Sequence, residues 1–570
     1  MLARWYATRP MQRVDNTLGM PAVMPTLVVG RRLMQCVAVY VGRCGKMRRS
    51  VKVGPTTLAA LALIATASCG TAETIAGSRE SVAIDPHPTT MPSPPPSTQL
   101  ASPWPTTDPS NQPTPTDATP APPADEPVIP SAAELRAARS QPVEDPYYPD
   151  TSNPEVDALH YFLDLSWDGS RLTGEATVTF RAAAATEAVR LDLSRSLTVN
   201  AVELDGTPVD YQQAGDGLEL FTGPLEGAAT YTLTISYAGA PTSAPAPSYR
   251  PDLAEGLGWN IDSDGSVYTF QEPYGAFTWY PVNDHPSDKA LYDAVITTEG
   301  DDVAVFNGEL VSNEPADKGT TNSWHVDEPV ASYLTTIAIG PYTEHTSTTP
   351  SGMRISYWLM PRDEHLLTGL QDSGSGAFEW LEEHAGPYPF STLGVVVVGG
   401  RSAMETQTML TMSRGAVARP DAVLQHEMSH QWYGDSVTPV DWQGVWLSEG
   451  WAMYMQQAFE TDTGLPPFAG GLEAWRPFDL ASRRVSGPPG DYNPESFGDL
   501  NIYLGPALML DEIRQRVGDA TFAELAKAWA ADHENENVDR QTFESWLYDE
   551  TGEDFRPLLH KWLDSAKTPR

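Results

Sequence analysis

The chain has 570 residues, enough for two to four domains and a large core. Its formal net charge is −39, and because the first 68 residues hold ten Lys and Arg against one acid, the remainder stands at −48. Such an acidic balance argues against nucleic-acid binding and against adhesion to anionic lipid, and the three cysteines, at 36, 44 and 69, leave the later part of the chain without a disulfide framework or a thiolate metal site.

Residues 1–69 read as an upstream extension followed by an export signal. From Met47, Arg48, Arg49 and Lys52 form a basic region, Leu58 to Thr66 an apolar run too short to span a bilayer, and Ala67-Ser68-Cys69 a small-residue cleavage site. The cysteine there is similar to that of a bacterial lipoprotein box, which implies an exported cell-envelope protein lipidated at Cys69 and touching the membrane through that anchor only, or otherwise a secreted one. Residues 70–145 are rich in Pro, Ser, Thr and Ala, cannot bury enough apolar surface to offset chain entropy, and are expected to form a disordered tether.

From 146 to about 345, short segments such as LTGEATVTFRA and TYTLTISYAG alternate apolar and polar residues between Gly and Asp turns, the pattern of an all-β domain. After 346 the spacing becomes mainly helical, with LGVVVVGG as a buried strand, and it stays helical from Tyr503 to the end. The fold class expected is therefore α+β and multidomain.

Within the second part, His426 and His430 stand four apart with Glu427 between them, and Glu449 follows after a gap of eighteen residues. Pro420 and Asp421 are helix-start residues, so both imidazoles should share one helix face and reach one ion. Glu449 opens a second helical pattern, SEGWAMYMQQAFE, with Ser448 as its expected N-cap. Two imidazoles and one carboxylate with an open fourth position form the ligand set of a catalytic zinc, one per chain.

Four blocks in order, EPYGAFTWYPVNDHPSDK, SAMETQT, HEMSHQWYGDSVTP with WLSEGWA, and IYLGPALMLDEIRQRVGD, give the chain its resemblance. Over residues 150–570 it resembles the aminopeptidase N family of gluzincin zinc metallopeptidases, which also includes leukotriene hydrolase. The resemblance implies a saddle-like β domain over 146–345, a thermolysin-like zinc peptidase domain over 346–570, and peptides with a free N-terminus as substrates. It also implies Glu427 as general base and Tyr503 as oxyanion donor, with Glu405 and Glu272 binding the substrate ammonium and Ala403 and Met404 beside the first side-chain pocket. Gln456 and Asp435 are expected behind the ligands. Ser402 and Thr406 depart from the family pattern, as do Leu504, Gly505 and Pro506 after the tyrosine. Two alternatives stay open: a zinc endopeptidase or dual-function hydrolase on the same core, and a catalytically silent surface module that captures peptides.

Overall fold

A computed structural model describes residues 130–570 apart from 418 and 419; the expected export signal, Cys69 and the expected tether as far as 129 lie outside the described residues. The first half is β-rich. Its main sheet has eight strands in the order Glu309–Pro315, Gly319–Ala331, Lys289–Glu299, Val156–Trp167, Leu172–Ala182, Thr230–Gly239, Leu197–Leu204 and Thr207–Pro208. Leu172–Ala182 shows why these residues form a half-buried strand: Leu172, Gly174, Ala176, Val178, Phe180 and Ala182 all face the core, while Thr173 and Glu175 between them face water. Gly174 is needed there, because a Cβ would stand 2.4 Å from the Tyr237 ring. Smaller sheets of three and four strands complete this half, the latter built from Val303–Phe306, Ile337–Gly340, Val267–Phe270 and Gly258–Ile261.

A five-stranded sheet opens the second half at Thr343–Thr348 and continues through Arg354–Leu359, Leu393–Val398, Met409–Ser413 and the edge strand Ala403–Met404. Leu393–Val398 pairs in parallel on both sides and is buried throughout, as its unbroken apolar run requires. Helices follow: Leu367–Ala385, Pro420–His430, Val445–Thr463, Leu472–Ser486 and Asn501–Val517 lead to the C-terminal helices. One contiguous apolar core runs through both halves.

Two expectations need correction. The tether does not extend to residue 145, because the described stretch from 130 belongs to the fold. Glu134–Ala137 is a short helix, the Ser140 N–H donates to Asp157, and Asp145 is fully buried, accepting from the N–H groups of Tyr147, Tyr148 and Trp442. Composition misses this because the segment has no apolar run: one acid, backbone donors and the adjacent rings of Tyr147 and Tyr148, packed on Tyr492, Tyr274 and Phe497, make the contacts. Ser448 is not an N-cap either. Asp441 caps a short turn, Trp442–Gly444, by accepting from the Gly444 N–H, and the helix is already under way at Val445. Ser448 is thereby carried inside the helix, where its hydroxyl is free for another task.

Candidate active site

The helix Pro420–His430 carries His426 and His430 one turn apart on a buried face. Glu449 meets them from Val445–Thr463, with Oε2 at 3.2 Å from His426 Nε2 and 3.4 Å from His430 Nε2, and the two Nε2 atoms are 3.3 Å apart. A tetrahedral ion bonded at ~2.0–2.1 Å separates its ligand atoms by about 3.3–3.4 Å, so this triangle of donors fits such an ion closely. Burial alone would keep His430 neutral, yet Glu405, Glu449 and Glu427 hold its pKa well above the usual histidine value, a sign that the centre calls for positive charge.

The far nitrogen of His430 is secured by Ser448. Nδ1 lies 3.0 Å from Ser448 Oγ and 3.1 Å from the Tyr433 carbonyl, which turns Nε2 toward the metal position as a lone-pair donor. Gly434 makes room for this contact: its φ is +141°, and a Cβ there would lie 2.4 Å from Ser448 Oγ. Gln456 does not perform that role. Its amide donates to Glu460 one turn further along the helix, at 2.8 Å, away from the histidines. Asp435 hydrogen-bonds to no imidazole among the described residues; its Oδ2 accepts from Gln431 Nε2 at 2.6 Å. The same Gln431 amide donates to the Glu405 carbonyl and its oxygen accepts from the Thr408 N–H, so Asp435 stands behind the strand that presents Glu405.

Glu405, Glu427 and His430 bring their polar atoms within 4.8 Å of one another. Burial and the neighbouring Glu405 push the Glu427 carboxyl up to about 8, in the range of a group that can take and return a proton near neutrality. Glu405 is buried with Oε1 lacking any hydrogen-bond partner among the described residues. Burial, then Glu405, raise Glu272 well above the ordinary carboxyl value, and burial likewise raises Glu405. Two desolvated acids that repel each other beside a metal triangle form a receptor for a cation. Ala403 is half-buried on the edge strand leading to Glu405. Met404 is enclosed on the same strand, with its sulfur accepting from the Gln271 N–H at 3.3 Å.

Tyr503 lies in the first turn of Asn501–Val517, buried, its ring centroid 6.0 Å from that of His426. Pro506 is accommodated within this helix, packed against Gly450. Arg250, which no sequence pattern points to, reaches in from the β-rich half and places Nη1 3.2 Å from the Tyr503 hydroxyl. No spacing rule leads to it. It sits in a proline-flanked loop, and its one signal is Asp252 two residues on, to which it pairs at 2.6 Å.

Comparison with known proteins places these features. Residues 157–334 match the family model of the peptidase M1 N-terminal domain, and residues 372–480 that of the peptidase family M1 domain. Human glutamyl aminopeptidase is 26% identical over 249 residues, covering 41% of this chain and 26% of the relative. Aminopeptidase N of Lactococcus lactis subsp. lactis is 22% identical over 446 residues, covering 72% of this chain and 50% of the relative. The chain thus spans from about a quarter to half of the length of the curated relatives it matches. Among solved structures, the M1 zinc metallopeptidase from Deinococcus radiodurans superposes with a TM-score of 0.67 at 25% identity, covering 75% of this chain and 98% of that one. A variant of that enzyme bound to a Tyr-Ser-Ala substrate superposes at 0.65 with 26% identity, over 75% of this chain and 99% of the other. Yeast LTA4 hydrolase in complex with bestatin, 20% identical with a TM-score of 0.62 over 78% of this chain and 73% of its own, shares the fold.

Proposed function

The chain belongs to peptidase family M1, and from that premise we propose that it is a zinc aminopeptidase, releasing the N-terminal residue from peptides. One observation carries the reading: the unpartnered, buried Oε1 of Glu405, with Glu272 nearby, lies beside the donor triangle. A substrate ammonium would satisfy both acids, and its distance from the metal would limit cleavage to the first peptide bond.

His426, His430 and Glu449 would hold one Zn²⁺. When bound, the zinc polarises the scissile carbonyl and lowers the pKa of the attacking water. Glu427 accepts that water's proton at its carboxylate and returns it to the leaving amine. Tyr503 donates its O–H to the carbonyl oxygen as negative charge gathers there. Gln431, anchored by Asp435, keeps the Glu405 strand in register with the histidine helix. The basic stretch from Met47, the short apolar run after it and the small-residue site at Cys69 support a place in the cell envelope, anchored at Cys69 or secreted, with peptides as partners.

A panel of chromogenic aminoacyl substrates, run with and without chelator and with N-acetylated controls, tests this. Chelation and acetylation should each abolish turnover, and Glu427→Gln should lower kcat by ~10²–10⁴-fold, the usual share of general acid–base catalysis. Undiminished cleavage of acetylated peptides would favour the endopeptidase alternative. Zinc binding with no turnover on any substrate would favour a silent peptide-binding module.

A further inference from the structure

Arg250 is half-buried close to the reacting centre, comes from a different half of the molecule from the metal ligands, and has no part in the steps of catalysis above. We propose that it is a positioning residue for the reaction, holding the Tyr503 hydroxyl so that its single proton faces the scissile carbonyl. The inference rests on the aminopeptidase reading and adds to it.

Three observations lead there. A guanidinium has donors and no acceptor, so with Nη1 at 3.2 Å the Tyr503 oxygen is the accepting partner and its own proton is left for another oxygen, that of Glu449 until a substrate carbonyl takes its place. The guanidinium itself cannot swing. Nε and Nη2 grip Asp252 Oδ1 and Oδ2 at 3.3 and 2.6 Å, Nη2 reaches Ser402 Oγ at 3.2 Å, and the backbone of Gly498 is close enough that a Cβ there would lie 2.9 Å from Nη1. Ser402 also donates to Asp252 Oδ2 at 3.1 Å and leads directly into Ala403–Met404 and Glu405. One Asp–Arg pair therefore registers the oxyanion donor against the carboxylate that would receive the ammonium. Ser402, a position at which the sequence departs from the family pattern, is explained by this contact. A fixed cation behind the phenol oxygen also makes the O–H a better donor as charge builds on the carbonyl.

Arg250 acts through Tyr503, so the test is whether the two substitutions are coupled. In the full chain, Tyr503→Phe should lower kcat by ~10²–10³-fold, as loss of one oxyanion donor does, whereas in the Arg250→Met background it should cost less than about tenfold. Arg250→Met alone should lower kcat by ~10–10²-fold with KM within about threefold, and Arg250→Lys, which keeps the charge, should recover part of the loss. Zinc content should not change in any of them. Equal costs of Tyr503→Phe in both backgrounds would overturn the proposal, and if Arg250→Met does not fold, the Arg250→Lys cycle decides on the same criterion. A readout independent of turnover is the fluorine NMR signal of a fluorotyrosine placed at position 503. It should move or broaden in Arg250→Lys and stay in place in the distant control Gln456→Ala, and an unmoved signal in Arg250→Lys would sink the contact. Should the wild-type chain release no N-terminal residue at all, the aminopeptidase reading fails, and the fluorine signal still decides whether Arg250 sets the hydroxyl.

Discussion

His430 is fixed by its far nitrogen, which is held between the Tyr433 carbonyl and a serine whose sequence context advertises a different role. Ser448 precedes a helical pattern and has the chemistry of an N-cap, but Asp441 caps the turn first, and the serine hydroxyl goes to His430 Nδ1 at 3.0 Å. Ser448→Ala should therefore weaken zinc affinity by ~10–10²-fold, the usual loss when the outer partner of a ligand histidine is removed. Gly434→Ala should do at least as much harm, since its Cβ would meet Ser448 Oγ at 2.4 Å and φ of +141° suits glycine. Gln456→Ala should leave affinity unchanged, because its amide is spent on Glu460. Competition against a fluorescent chelator measures all three, and a loss in Gln456→Ala comparable to that in Ser448→Ala would contradict the assignment. At this scale the sequence was readable wherever spacing along one helix decides geometry, as for His426, Glu427 and His430. It was silent wherever two distant segments meet, as at Arg250 and Tyr503, because pairing across 253 residues leaves no local pattern.

Among the elements, the central strands of the eight-stranded sheet are tied by charge as well as by their ladder. Asp293 on Lys289–Glu299 receives His160 Nε2 from Val156–Trp167 at 2.8 Å and His325 Nδ1 from Gly319–Ala331 at 2.7 Å, and Asp293 and His325 are direct cross-strand partners. The hydrogen bond to Asp293, working against burial, raises His325 to about 9. A folded pKa above the unfolded value of about 6.5 contributes stability that is fully present below pH 6.5 and is lost as pH rises through 9. Wild type should therefore exceed His325→Gln in Tm at pH 6, and the gap should close by about pH 9, partly muted at all pH values by the exposure of the imidazole. A gap independent of pH in zinc-free protein would rule out the charge as its cause. The segment before the first long strand makes a second case. Burial disfavours the Asp145 carboxylate, but His285 and the N–H groups of Trp442, Tyr148 and Tyr147 outweigh it and hold the pKa below the usual value. Asp145→Ala leaves three buried or part-buried N–H groups without this acceptor and should lower stability by ~1–3 kcal/mol in urea unfolding at pH 7, with the difference shrinking as pH falls below about 4. The strands and helices were legible from period and turn residues, whereas this segment was not, since one acid, backbone donors and two adjacent tyrosine rings make its contacts without any period to read.

Across the whole molecule, the candidate site lies on the seam between the β-rich half and the mainly helical half. Glu272 and Arg250 come from the first, and the donor triangle, Glu427, Glu405 and Tyr503 from the second. The seam is built as an interior. Lys289 Nζ crosses it to the carbonyls of Asp435 and Ser436 at 3.0 and 2.8 Å, the Tyr333 hydroxyl reaches the Gly434 carbonyl at 3.3 Å, and Tyr333 and Trp442 rings meet edge to face at 4.8 Å. A lysine whose pKa burial lowers to about 7 is tolerable only in a fixed arrangement, because any loosening would return it to water and to its ordinary charge. The apolar core is likewise continuous from Val156 to Leu563 and does not divide at the change from strands to helices. Two halves that share a core have no independent ground state to melt into, unlike domains joined by a small polar interface. The zinc-free chain from 130 to 570 should accordingly unfold in one calorimetric transition, with van't Hoff and calorimetric enthalpies equal. Lys289→Ala, which takes the side-chain donor from the buried Ser436 carbonyl and leaves the Asp435 carbonyl with Thr438 alone, should lower the temperature of that single transition without splitting it. Two resolved transitions in the wild-type chain would mean that the halves fold separately, and the donor triangle could then form without Arg250 and Glu272 in place.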